Sequence, residues 1–195
     1  MLETVQMVDQ DYESPVVETE AARISSFGLW NILKEDYRTH RRELSAPGLQ
    51  ALWTHRLGVY ATTLPKLFRW PLDIFYVLGW RFFRSFYGIE MRRTVNVGHR
   101  VHIAHQHGIV IHDYARFGND CIIRQGVTFG ISNTWEKGKG PVIGNHVSFG
   151  AGCIIVGNIT IGDNVNIGPN CVVSNDVPSD RTLFIPPPRV IPKND

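Results

Sequence analysis

Cysteine is scarce in this chain: three in 195 residues. Cys121, Cys153 and Cys171 show no CxxC spacing and no paired Cys/His pattern, so a disulfide framework is not expected and buried thiols in a reducing cytoplasm are. Charge is also low. Acids and bases make up 19% of residues and balance to a net +2, too little basic excess for a nucleic-acid partner. No apolar run is long enough to span a bilayer, because the best one, Ile74 to Trp80, meets Arg81 and Arg84. The first twenty residues offer neither a basic n-region nor an apolar h-region, so no leader is expected. With 43% apolar residues, the chain can bury the core of one domain.

Three unlike segments make up the sequence. Residues 1–24 read as a mobile acidic tail, holding Glu3, Asp9, Asp11, Glu13, Glu18 and Glu20, and trimming to residue 21 is expected to leave activity intact. Residues 25–89 read as a helical region: LWNILKEDY and LQALWTHRLGVY carry apolar residues at helical spacing, and a third helix starts between Pro65 and Pro71. This region holds 14 of the 21 aromatic residues. Its Trp, Phe and Arg side chains raise the expectation of membrane-surface contact through residues 70–87, at the inner face of the membrane.

From residue 90 to 180 the composition turns to Gly, Val and Ile, and a six-residue repeat emerges. Val97, Ile103, Ile111, Phe117, Ile123, Phe129, Ile143, Phe149, Ile155, Ile161, Ile167 and Val173 follow one another at intervals of six, save for a two-residue slip after Ile103 and a longer break after Phe129. Gly follows seven of the twelve, and the residue four positions on is usually small or β-branched, the three cysteines among them. Such a repeat builds a triangular coil of three short strands, large aliphatics inward, small residues at corners, and Gly or Asn in turn dihedrals. The expected fold is a left-handed parallel β-helix behind an N-terminal α-helical region. The longer break, ISNTWEKGKG, predicts an excursion loop over residues 131–141, and residues 181–195 form a C-terminal tail.

The stretches AHQHGIVIHDYARFGNDCIIRQGVTFG, GNHVSFGAGCIIVGNITIGDNVNIGPNCVVSNDVP and PPPRVI resemble the hexapeptide-repeat acyltransferases, in their serine acetyltransferase-like branch and its polysaccharide-biosynthesis type. The resemblance implies an acetyl-CoA co-substrate, no metal, and His105 as general base with Glu90, fifteen residues earlier, as its orienting acid. An imidazole suits that task, since it titrates near neutral pH. The resemblance further places acetyl-CoA at Gly130, Ala151, Gly152 and Arg189, and the acceptor near His107 and Lys139. It implies a homotrimer with sites between subunits, and a dimer of trimers through the helical region. Ala104 and Lys139-Gly140 stand where the serine enzymes carry Asp and Arg-His. The expected acceptor is therefore a hydroxyl of a sugar, sugar nucleotide or surface polysaccharide unit, with serine O-acetylation as the alternative.

Two readings of another class compete. Five of the eight histidines fall between His99 and His112, as a zinc site of the γ-carbonic-anhydrase kind would need; a non-catalytic β-helix scaffold would need no base. His99, His102 and His112 are expected to be exposed strand or turn residues.

Overall fold

The computed structural model of the chain describes residues 18–131 and 136–189. Residues 1–17 of the expected tail, the loop segment 132–135 with Trp135, and residues 190–195 lie outside the described residues. α1 (Glu20–Phe27) starts at Thr19, whose hydroxyl accepts the Ala22 N–H, and stops at Gly28, where φ is +86°. α2 (Leu29–Thr39) follows at once. α3 (Pro47–Thr63) opens on a proline, whose missing N–H has no helical partner there anyway. α4 (Lys66–Phe86) starts directly after Pro65 and carries Pro71 inside.

The sequence reading starts the helical region at residue 25, but the structure starts it at Glu20. The reason is burial. Glu20 and Arg23, assigned to the tail on charge alone, are 3% and 5% exposed. Arg56 of α3 is the hub. Its guanidinium contacts Glu20 Oε1 at 2.9 Å and Asp36 Oδ2 at 3.1 Å, and donates to the carbonyls of Val97 and Gly98 at 2.7 Å each. Glu20 Oε2 meets His55 Nε2 at 2.9 Å and accepts the Val97 N–H at 3.1 Å. Burial alone would raise the Glu20 carboxyl, but His55 and Arg56 outweigh it and hold it down to about 2. Burial dominates at Asp36, which is raised despite Arg56. Trimming to residue 21 therefore removes a buried partner, contrary to the sequence expectation.

Thirteen strands follow among the described residues: β1 (Ile89–Met91), β2 (His102–Ile103), β3 (Ile109–Ile111), β4 (Arg116–Phe117), β5 (Ile122–Ile123), β6 (Thr128–Gly130), β7 (Val142–Ile143), β8 (Ser148–Phe149), β9 (Ile154–Val156), β10 (Thr160–Ile161), β11 (Asn166–Ile167), β12 (Val172–Val173) and β13 (Thr182–Leu183). All pair in parallel, in three sheets: β1-β3-β6-β9-β12, β4-β7-β10, and β2-β5-β8-β11-β13. These are the three faces of a left-handed β-helix. Val110 pairs with Thr128 and Ile154 with Val172, eighteen residues on, whereas Thr128 pairs with Ile154 across the excursion loop. The β-helix runs slightly beyond 90–180 at both ends, since β1 begins at Ile89 and β13 lies in the segment read as tail.

All twelve residues of the repeat column are buried, none more than 4% exposed. Phe117, Phe129 and Phe149 stack edge to face down the axis, with centroids 4.8 Å apart, near the spacing of neighbouring strands. The glycine column has a different cause from the one expected. A β-carbon at Gly98 would lie 2.1 Å from the Gly118 carbonyl oxygen, yet its φ is not left-handed. Gly130 apart, these glycines stand where one coil presses on the next. Left-handed φ values fall elsewhere, at Arg100, Asp120, His146, Asn164, Asn170 and Asp180.

Replacing Arg56 with Ala leaves Asp36 and Glu20 buried without their cation, and urea unfolding is expected to show a loss of about 3 to 5 kcal/mol. The depressed Glu20 carboxyl adds stability that is present above its ordinary 4.5 and is lost as pH falls toward about 2. Glu20→Gln is expected to flatten that acid limb.

Candidate functional site

His105, His107, Gly130 and Lys139, four of the site candidates, lie where the repeat is broken. At the corner leading from the β2-β5-β8 face to the β1-β3-β6 face, Gly88, Gly108, Gly126, Gly152 and Asn170 stack with φ between +58° and +72°. A ladder of backbone bonds joins them: His107 N–H to Tyr87 O, Gly126 N–H to His107 O, Gly152 N–H to Gln125 O, and Asn170 N–H to Ala151 O. His107 and Ala151, expected for acceptor and donor, thus sit two rungs apart on one corner. Ile103 to Gly108 spans two residues more than the corresponding Ile123 to Gly126 in the next coil. The slip in the sequence is a bulge on this corner, and it carries His105, which is exposed.

Glu90 is the middle residue of β1 and pairs in register with Val110. Its side chain is half-buried on the outer face of that sheet, in a row with Val110, Thr128, Ile154 and Val172. Among the described residues the side chains of Glu90 and His105 make no hydrogen bond or ion pair, so the expected acid–base contact is not closed in this single chain. The excursion loop leaves the opposite end of the same face, after Gly130. Lys139 in that loop is exposed and pairs with Glu136 at 2.5 Å.

The histidines read as exposed strand or turn residues are instead partnered. His99 Nδ1 lies 2.6 Å from Glu35 Oε2, and its ring meets Phe27 edge on. His112 Nδ1 accepts the Tyr114 N–H at 3.4 Å. His102 meets His40 of the helical region in a T-shaped contact with centroids 4.8 Å apart. His40 is fully committed: Nε2 accepts the Ile103 N–H at 3.2 Å, so Nδ1, 2.8 Å from the Asp36 carbonyl, carries the proton. Burial lowers the His40 pKa. Burial, with His40, Arg41, His105 and Arg124 nearby, pushes His102 down to about 4. The helical region thus holds the strand entering the His105 bulge through two uncharged imidazoles. Sequence reading missed His40, since a lone histidine at a helix end carries no periodic signal.

The donor-side residues differ in what the fold asks of them. Gly152 has φ +72°, and a β-carbon there would meet Asn170 Oδ1 at 2.4 Å, so the corner alone accounts for it. Gly130 is different. Its φ is not left-handed, and an added β-carbon would meet only Thr128 Cγ2, at 4.0 Å. Arg189 is exposed on the extended segment after β13. Among the described residues no three His, Cys, Asp or Glu side chains come together as a metal-holding group.

The lowered His102 pKa sets a pH window. Its stabilising contribution is complete above the ordinary 6.5 and is lost as pH falls toward about 4. Thermal melts at pH 7 and pH 5 are expected to show a drop of several degrees that shrinks in His102→Gln; an equal drop in both proteins would exclude His102 as its source.

Residues 140–175 match the model of the bacterial transferase hexapeptide family, described as six repeats. The chain is 38% identical over 150 residues to a serine acetyltransferase of Synechococcus elongatus, covering 76% of this chain and 58% of that one. A Staphylococcus xylosus serine acetyltransferase is 35% identical over 147 residues, or 75% of this chain and 65% of the relative. The chain thus spans about three fifths of these curated relatives. Among solved structures, serine acetyltransferase isoform 3 of Entamoeba histolytica, in complex with cysteine, superposes with a TM-score of 0.69 at 27% identity over 89% of this chain and 64% of that one. These matches overturn the expectation of a sugar, sugar nucleotide or polysaccharide acceptor, which rested on Ala104 and Lys139-Gly140: the relatives at 35 to 38% identity are named serine acetyltransferases. Together the matches support a hexapeptide-repeat acyltransferase of the serine acetyltransferase-like kind.

Proposed function

We propose that this protein transfers an acetyl group from acetyl-CoA to the side-chain hydroxyl of L-serine. The observation that carries the reading is the 38% identity to a serine acetyltransferase over 76% of the chain. The placement of His105 on the one bulge of an otherwise regular corner supports it. His105 acts as general base: it takes the hydroxyl proton, the oxygen attacks the thioester carbonyl, and the tetrahedral intermediate expels the CoA thiolate, which recovers the proton from the imidazolium. Glu90 orients the base.

Acetyl-CoA is proposed to run along the corner past Ala151 and Gly152, with Gly130 giving room at the loop and Arg189 facing its phosphates. His107 and Lys139 flank the acceptor. A homotrimer with sites between subunits accounts for the exposed row of Val110, Ile154 and Val172 beside Glu90, 42%, 37% and 68% exposed.

His105→Ala is expected to lower kcat by about 10²- to 10⁴-fold in a thiol-release assay with L-serine, without loss of the folded oligomer. Glu90→Gln is expected to fall less. Unchanged turnover in His105→Ala would overturn the mechanism. Gly130→Ala, which the fold accommodates, is expected to raise KM for acetyl-CoA with Tm held, whereas Gly152→Ala is expected to cost about 1 to 2 kcal/mol of stability.

A further inference from the structure

α4 is fixed to the protein along one side only. Tyr76 is buried at 6% exposure, its hydroxyl accepting the Arg93 N–H at 2.9 Å, and Gly79 lies against Thr54 of α3. Residues advance about 100° around a helix at each step, so the opposite side is the one that presents Leu67, Trp70, Ile74, Leu78 and Phe82. These are 75%, 61%, 51%, 62% and 44% exposed. Lys66 and Arg84, also exposed, stand along one edge of this strip, and exposed Arg81 stands within it, between Trp70 and Ile74. The helix has a single carboxylate, Asp73, and it is taken up by Arg69 at 2.7 Å and by Arg93. The free side is thus apolar and aromatic, with cations at one edge and one within it that no acid of the helix neutralises.

We infer that this side of α4 seats on the surface of an anionic lipid bilayer, with the helix lying in the plane of the membrane. The charge pattern selects the occupant. Apolar and aromatic side chains enter the boundary between headgroups and acyl chains, while Lys and Arg at the edge reach anionic headgroups. A second copy of the chain is a poorer fit, since the strip brings it three cations and no free carboxylate. Crossing the bilayer is ruled out by the same cations, and no helix among the described residues is long and apolar enough to do so. The opposite face of α4, packed on α3 and β1, keeps the β-helix clear of the lipid. The inference is independent of the acceptor, because a catalytically dead protein would bind equally well.

The test is sedimentation of the full chain with vesicles of phosphatidylglycerol and phosphatidylcholine, beside vesicles of phosphatidylcholine alone. Binding is expected on the anionic vesicles, to be weak on the neutral ones, and to fall with added salt. The double variant Arg81→Ala/Arg84→Ala is expected to bind roughly thirtyfold more weakly. Leu78→Glu/Phe82→Glu is expected to lose binding, with the far-ultraviolet circular dichroism and oligomeric mass of the parent. Failure of the parent to sediment with anionic vesicles would overturn the inference. So would equal binding by both variants, or a glutamate variant that dissociates into smaller oligomers, which would give the strip to a second copy.

Discussion

Each coil of this β-helix must return its backbone to within one strand spacing, about 4.8 Å, of the coil before it. That closure condition decides which residues can stand where. An inward aliphatic or Phe every sixth residue fills the axis, and a glycine follows wherever the next coil's backbone leaves no space for a β-carbon, as at Gly98 and Gly118. Small residues such as Cys121 and Cys153 occupy the corners, where burial pushes both thiols up to about 12 and leaves them inert at neutral pH. A chain under such a rule has little freedom to place chemistry on its regular coils. The candidate site accordingly lies at the two departures from it, the bulge carrying His105 and the loop that leaves after Gly130.

The departures need support that the coil rule does not provide. On the bulge side it comes from the helical region. His40 accepts the Ile103 N–H, and its edge-on contact with His102 braces the strand just ahead of His105. The buried Arg56 cluster holds the same helices to the first coil through the carbonyls of Val97 and Gly98. Removing either contact would loosen the entry to the bulge while leaving the repeat core intact. The helical region is therefore part of the site's architecture, and α4 extends that role outward with its cation-edged apolar strip.

Much of this was legible in the sequence because a period of six leaves a periodic trace. The inward column, the corner column, the slip after Ile103 and the loop after Phe129 can all be read from spacing alone. What spacing does not reveal is any contact made once. Glu20 looks like one more acid in a run of acids, and only the fold brings it to His55, Arg56 and the Val97 N–H. His99 and His102 sit on strand-like stretches that read as exposed, and their partners Glu35 and His40 lie more than sixty residues away. The glycine column was legible as a pattern but not in its cause, since crowding between coils and left-handed dihedrals call for the same residue. Acceptor identity was the weakest inference from sequence, because it leaned on three positions, Ala104, Lys139 and Gly140, against a similarity that spans three quarters of the chain.

If this β-helix acetylates the hydroxyl of L-serine at the bulged corner, as proposed, incubating the full chain with acetyl-CoA and L-serine yields O-acetyl-L-serine, identified by mass spectrometry and formed in step with free CoA thiol. Acetyl-CoA left intact, or consumed with no acetylated serine formed, would contradict the proposal.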